Sequence, residues 1–473
     1  MAGTSDEPNM RYLLGLALIA SLGGFLFGYD TAVISGTIGF VKDKFALDAV
    51  MEGWYVSSAL VGCVAGVSVA GYLSDRFGRK RVLLLAAALF SVSAIGCALS
   101  GSQFSLIVFR LVGGLGVGVA SMLSPLYISE ISPANIRGRL VALYQLAITV
   151  GILCSYFVNA GLLSAAQAAA PAGGGLFQFV FVEEVWRGML GSEVVPALLF
   201  FVLLLFVPES PRWLVARNRS GEAREVLSRV GGGTVADRQL REIHATLEHE
   251  PESWKRILAQ PGIRFALFLG IALAFLTQVS GINAIIYYGP RILEEAGFAL
   301  SDALGGQVVI GIVNVVFTFV AIWKIDDLGR RPLLIWGVSG LVMSLVVIGL
   351  LFRFDVTEGP WLLIFILFFI ACFAASFGPV IWVLLSEMYP TRVRGRAMSV
   401  ATLALWVGTA LVGQTVPWLL ETIQPSGTFW LFAALCSPGI YLAWRVLPET
   451  KGKSLEEIEA YWMNWVGSSS NRG

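Results

Sequence analysis

The chain has 473 residues, 56% of them hydrophobic and only 14% charged. A water-soluble domain carries nearer a quarter charged residues, so that class is excluded, and a net charge of +1 gives no reason to expect nucleic acid or an acidic partner. The apolar residues fall into long runs. Runs of about 20 can cross a hydrocarbon core of about 30 Å as helices that satisfy their own backbone.

Twelve runs follow one another, near 12–36, 54–73, 82–100, 105–126, 140–162, 188–207, 263–289, 303–323, 332–352, 361–385, 397–420 and 428–447. The first follows a polar stretch and is far longer than a signal-peptide core, so it is expected to be a retained span. The spacing predicts an all-α membrane protein. Its first half covers 12–207 and its second half 263–447, each with six spans. A polar, helix-favouring segment at 208–262, containing SGEAREVLSRV, is expected to form short cytoplasmic helices, and 448–473 is a tail. One set of short loops holds Arg76, Arg79, Lys80, Arg81, Arg137, Arg139, Lys324, Arg330, Arg331, Arg392, Arg394 and Arg396; the opposite set holds only Lys42, Lys44, Arg187, Arg291 and Arg353. Lys and Arg accumulate on the cytoplasmic side, which puts both termini in the cytoplasm of a cell-membrane protein.

All five cysteines lie inside apolar runs without a CxxC pair, and read as packing residues, not as a metal site or a disulfide framework. The two histidines, His244 and His249, lie in the polar segment, which excludes a histidine relay across the membrane. No cofactor is expected. GGLGVG at 113–118 sits inside a span with no preceding strand, so it is not a nucleotide loop. Gly62/Gly66 and Gly114/Gly118 have the spacing that lets helices pack closely.

Polar residues inside the spans carry the chemistry. A charge at the middle of a lone span costs about 2.5–3.5 kcal/mol. Asp30 in the first run and Arg110 in the fourth are of opposite sign and would stabilise each other if the fold brings them together. Gln145 follows in the fifth run. In the seventh, Gln278, Asn283, Tyr287 and Tyr288 lie within LTQVSGINAIIYYGP; Asn283 and Tyr287 share a helical face, while Gln278 and Asn283 would diverge unless the helix breaks, and Gly281 and Gly289-Pro290 suggest that it does. Asn314, Trp382 and Trp406 lie in the eighth, tenth and eleventh. Amides donate and accept as hydroxyls do, and indole rings pack on the C–H face of a sugar. An uncharged site of this kind suits a neutral polyhydroxylated ligand.

SDRFGRK at 74–80 recurs as IDDLGRR at 325–331, SEISPANIRGR at 129–139 as SEMYPTRVRGR at 386–396, and PESPR at 208–212 more weakly as PETKG at 448–452. All three pairs fall on the same side, so the halves are duplicated with the same orientation, related by an axis along the membrane normal. Asp75, Arg79 and Lys80, with Asp326, Arg330 and Arg331, place opposite charges at helix ends, either to latch the cytoplasmic face in one state or only to signal orientation.

FGYDTAVISG, GYLSDRFGRK, PLYISEISPANIRGR, PESPRWL, QVSGINAIIYY, DDLGRRP, SEMYPTRVRGR and PETKGKSLEEI run in order over nearly the whole chain. Together they resemble the sugar porter family of the major facilitator superfamily, which includes passive glucose facilitators and proton-coupled symporters. The resemblance implies the superfamily's twelve-helix fold and alternating access. It implies that Asp30 is the proton-coupling carboxylate and Arg110 its partner. It places Phe27, Gln145, Gln278, Asn283, Tyr287, Asn314, Trp382 and Trp406 at sugar-pocket positions, and Glu130, Arg137, Glu387 and Arg394 in the cytoplasmic charge network with the helix-end charges above. Three positions depart from the pattern. Thr277 stands where a second glutamine is usual, Leu405 replaces a polar residue, and Ile152 stands where the xylose symporter has glutamine. The expectation is a monomeric, proton-coupled importer of a neutral pentose or hexose, not an enzyme. Its partners are the sugar, the proton and the bilayer. A passive facilitator and a membrane sugar sensor are the alternatives.

Overall fold

The computed structural model describes residues 9–133, 136–169, 175–247, 259–357, 359–389, 394–453, 457, 458 and 460–463, apart from the side chains at 246, 247, 326, 394 and 395. Among the described residues there is no strand, and twelve helices are long and apolar enough to cross a membrane. They are span 1 (Met10–Gly36), span 2 (Ala49–Phe77), span 3 (Arg79–Leu99), span 4 (Gln103–Ile131), span 5 (Arg137–Ala168) and span 6 (Val185–Leu205), then span 7 (Pro261–Glu295), span 8 (Leu300–Ile325), span 9 (Arg330–Arg353), span 10 (Trp361–Met388), span 11 (Arg396–Thr422) and span 12 (Gln424–Val446). Most extend a few residues past the apolar runs, because the helical backbone continues into the polar region before it meets a stop.

Four spans are broken: span 12 divides into Gln424–Cys436, Pro438–Tyr441 and a last turn at Leu442–Val446, and the other three bear on the site. Span 7 is interrupted at Gly281, whose φ of 89° is open to glycine and strained for other residues. Span 10 is interrupted at Ser376 (φ −131°, ψ −92°), a break with no glycine or proline at the residue itself. Span 6 is two helices, Val185–Gly191 and Val194–Leu205, joined through Ser192 and Glu193. Between the halves, Pro211–Ala216 and Ser220–Leu247 are the expected linker helices; the second bends at Gly232 (φ 78°). Trp213, Leu214, Val215, Ala223 and Val226 form a small apolar cluster there, covered by Leu240 and Ile243. His244 lies on the linker 3.3 Å from the Ser220 hydroxyl, while His249 lies outside the described residues. The five cysteines are free thiols.

By internal contacts the chain divides into two compact units. One comprises Met1–Val33, Val61–Val158 and Pro171–Glu250, the other Ile34–Leu60, Asn159–Ala170 and Pro251–Gly473. In the first unit, spans 2 and 4 meet backbone to backbone at the small-residue stripes read from the sequence. A Cβ at Gly62 would strike the Leu111 carbonyl, and one at Gly118 the Cys63 carbonyl. In the second unit, the stretch from the end of span 1 to the start of span 2 packs on the C-terminal helices. Glu52, fully buried, is held there by Lys42 at 3.0 Å and by Arg291 at the end of span 7.

Candidate functional site: a buried ion pair, an amide cluster and two carboxylate networks

Asp30 lies four residues before the short 3-10 turn that ends span 1, and Arg110 lies in the first third of span 4. Each is 3% exposed, and Arg110 Nη1 donates to Asp30 Oδ1 at 3.1 Å. The two charges that the sequence places in separate spans are thus in direct contact. A third ionisable group was not singled out by sequence reasoning. Glu193, at the break in span 6, is 4% exposed, its Oε1 has no hydrogen-bond partner among the described residues, and it lies within electrostatic reach of both Asp30 and Arg110. Next to it, Ser192 is hydrogen-bonded to the Tyr29 hydroxyl at 2.7 Å, one residue before Asp30. Asp30 is therefore one of two buried acids at this place in the first unit. The signal was present, an acid five residues into an apolar run, but Gly191-Ser192-Glu193 reads locally as a loop edge.

The second unit holds the amide cluster. Because span 7 breaks at Gly281, Asn283 turns back on Gln278 and its Nδ2 donates to Gln278 Oε1 at 2.5 Å. Both residues are 8% exposed. Tyr287, Asn314 and Trp406 are buried, and Trp382, six residues past the break in span 10, is half-buried. Tyr288 points elsewhere, its hydroxyl donating to the Gly413 carbonyl in span 11 at 2.7 Å. Thr277 does not supply the missing second amide: its hydroxyl is back-bonded to Leu273 O within the helix at 2.8 Å. Phe27 and Gln145 belong to the first unit and are half-buried there.

The repeated motifs build one carboxylate network in each unit. In the first, Arg79 makes a two-pronged contact with Glu130 (3.0 and 3.1 Å) and a third with Asp75 (3.2 Å). Ser210 donates to Glu130 at 2.5 Å, and Glu209 accepts the backbone N–H groups of Arg79 and Lys80, the first turn of span 3. In the second, Arg330 grips Glu387 (3.1 and 2.7 Å), Thr450 donates to Glu387 at 2.6 Å, and Glu449 accepts the N–H groups of Arg330 and Arg331 at the start of span 9. The weak echo of PESPR in PETKG thus has a physical basis. In both places a glutamate caps a helix N-terminus, where a negative charge is favoured, and the next hydroxyl supports the arginine's carboxylate. Arg137 donates to the Ser132 carbonyl at 3.4 Å. The side chains of Asp326 and Arg394 lie outside the described residues.

These features define a class: a twelve-span membrane carrier with a charge network repeated in each unit, a buried ion pair and an uncharged polar cluster. The sequence profile described as "Sugar (and other) transporter" matches residues 16–462, and the chain belongs to that family. It is 42% identical to the arabinose-proton symporter of Bacillus subtilis (strain 168), over 97% of this chain and 99% of that one, and 37% identical to the D-xylose-proton symporter of Escherichia coli (strain K12), over 97% of each. Among solved structures, it resembles the partially occluded inward open conformation of the xylose transporter XylE from E. coli (TM-score 0.81, 35% identity, 94% of this chain and 100% of that one). It resembles equally the proton:xylose symporter XylE bound to 6-bromo-6-deoxy-D-glucose (TM-score 0.81, 37% identity, 96% and 100%).

Proposed function

We propose that the protein is a proton-coupled symporter that imports a neutral monosaccharide by alternating access, with both termini in the cytoplasm. The observation that carries this reading is the buried contact between Asp30 and Arg110. An ion pair sequestered from water gains little stability over apolar replacements of the same size, so its presence in an otherwise apolar bundle points to use. Taking up a proton on Asp30 ends the pair's mutual attraction; releasing the proton restores it. A carrier that ties these two states to sugar-loaded and empty forms couples the two fluxes. The Gln278–Asn283 cluster, with Tyr287, Asn314, Trp382 and Trp406, is the sugar site of the second half. It offers amides and indoles without net charge. The relatives named as arabinose- and xylose-proton symporters, 42% and 37% identical, support the same assignment and point to pentoses as the first substrates to try.

The test is uptake into proteoliposomes of labelled L-arabinose, D-xylose, D-glucose and D-galactose. With an imposed proton gradient, internal sugar should exceed external sugar, and Asp30→Asn should abolish accumulation while leaving sugar exchange intact. Wild-type sugar that never rises above its external concentration would make the protein a downhill facilitator. Loss of both activities in Asp30→Asn would reduce the pair to a structural element.

A further inference from the structure

Span 11 contributes a residue to the amide cluster that no motif marks. Thr409, 3% exposed, lies with its hydroxyl 2.9 Å from Gln278 Oε1. The same hydroxyl is 2.9 Å from the Leu405 carbonyl one turn earlier, the ordinary acceptor for a threonine inside a helix. Its single hydrogen is therefore shared between that local bond and a bond to another helix. The approach is built into the packing. The preceding residue is Gly408, and a Cβ there would lie 3.1 Å from the Gln278 Cβ and 3.2 Å from the Phe275 ring. Span 11 thus comes close enough to span 7 for a short hydroxyl to reach the amide.

The consequence lies in the polarity of Gln278. An amide oxygen has two lone pairs and the amide nitrogen has two hydrogens. Both acceptor sites on Gln278 Oε1 are taken, one by Asn283 Nδ2 at 2.5 Å and one by Thr409 at 2.9 Å. Its Nε2 has no protein partner among the described residues. We propose that Thr409 is a positioning residue for sugar recognition: with Asn283 it fixes the Gln278 side chain so that this residue meets the substrate as a donor, selecting a sugar oxygen that accepts. The inference rests on the reading of Gln278 as a sugar-binding residue and adds the direction of its hydrogen bond and the group that sets it.

The two substitutions that separate donor from acceptor recognition are fluorine and hydrogen. A deoxyfluoro sugar keeps an acceptor at the substituted carbon, while a deoxy sugar has none. Competition by monodeoxy and deoxyfluoro analogues of whichever of D-xylose, L-arabinose or D-glucose the protein exchanges, read by tryptophan quenching in detergent, needs no turnover. In the wild type one carbon should show the deoxy analogue binding about fivefold more weakly than the fluoro analogue, the worth of one neutral hydrogen bond of about 1 kcal/mol. In Thr409→Val that ratio should fall to about one, with Thr409→Ser restoring it and Thr409→Ala behaving like valine. A packing defect alone would weaken all analogues together and leave the ratio in place. The inference is overturned by a ratio that survives in Thr409→Val and Thr409→Ala, or by a wild type with no such carbon. If the ratio also survives Gln278→Ala, the assignment of Gln278 to the sugar site falls first.

Discussion

Neutralising Arg110 tests whether the pair with Asp30 is a coupled unit or two independent polar residues. At 3.1 Å and an effective dielectric constant near 20, two unit charges attract by about 5 kcal/mol. Desolvation of both partners offsets much of that in the net stability, but not when one partner is removed alone. Arg110→Met leaves a carboxylate among buried neighbours, and Asp30→Asn leaves a guanidinium there; removing one partner of a buried pair costs about 3–5 kcal/mol. The double variant, which removes both charges, should recover most of that loss. The expected coupling energy is then about 3 kcal/mol, far above the roughly 0.3–0.5 kcal/mol scatter of independent sites. The assay is unfolding of all four proteins in mixed detergent micelles at one pH and ionic strength, followed by tryptophan fluorescence. Since the pair is screened from solvent, the coupling should change little between low and high salt. Additive single effects would refute the reasoning, because they would mean that the contact is not made in the populated state.

Two further outcomes follow from backbone and capping geometry. Gly281→Ala forces an L side chain into φ 89° with its Cβ 3.0 Å from the Phe432 ring; about 1–2 kcal/mol of backbone strain should lower the melting temperature and weaken sugar binding together, because the break is what brings Asn283 to Gln278. At the start of span 9, burial pushes the Glu449 carboxyl up, but the backbone N–H groups of Lys451, Arg330, Arg331 and Thr450 outweigh it and hold it below its ordinary 4.5. A carboxyl lowered by folding stabilises the protein above about pH 4.5, and that stabilisation is lost as the pH falls through the folded-state value. Glu449→Gln should cost about 0.3–1 kcal/mol at pH 7 and flatten the acid limb of a stability profile measured from pH 7 to pH 3. An unchanged acid limb would contradict the capping role.

Where a residue conflicts with its local environment, the sequence is readable. Asp30 and Arg110 stand out because a membrane span penalises charge, and their opposite signs suggest contact before any coordinates. Gly281 stands out because the amides beside it would diverge on an unbroken helix. Where a residue fits its local environment, its long-range role is hidden. Thr409 reads as an ordinary back-bonded threonine, and only the packing of span 11 on span 7 shows the second acceptor. Glu193 reads as the end of a loop because the break in span 6 has loop-like composition. Ser376 breaks span 10 with no glycine or proline at its own position, but Gly378 and Pro379 follow at once, and Pro379 has no N–H to donate to the Ala375 carbonyl. The capping role of Glu209 and Glu449 depends on a chain reversal that places each beside a helix start more than a hundred residues away in sequence.

The buried groups also bear on which step of the proposed cycle the membrane potential drives. With Asp30 ionised beside Arg110, the pair has no net charge; with Asp30 protonated it carries one positive charge. If Glu193 stays neutral throughout, the loaded carrier moves the charge and the empty carrier returns without one. If Glu193 stays ionised, the loaded carrier is neutral and the empty carrier returns with one negative charge. Either way one charge crosses per sugar. At about 2.3 kcal/mol per 100 mV and about 1.4 kcal/mol per tenfold, that supports roughly fortyfold accumulation before any pH gradient is added. Only a change in the protonation of Glu193 within the cycle would raise the limit, by making two protons move with each sugar. The uncharged amide cluster of the second half adds no charge to this balance.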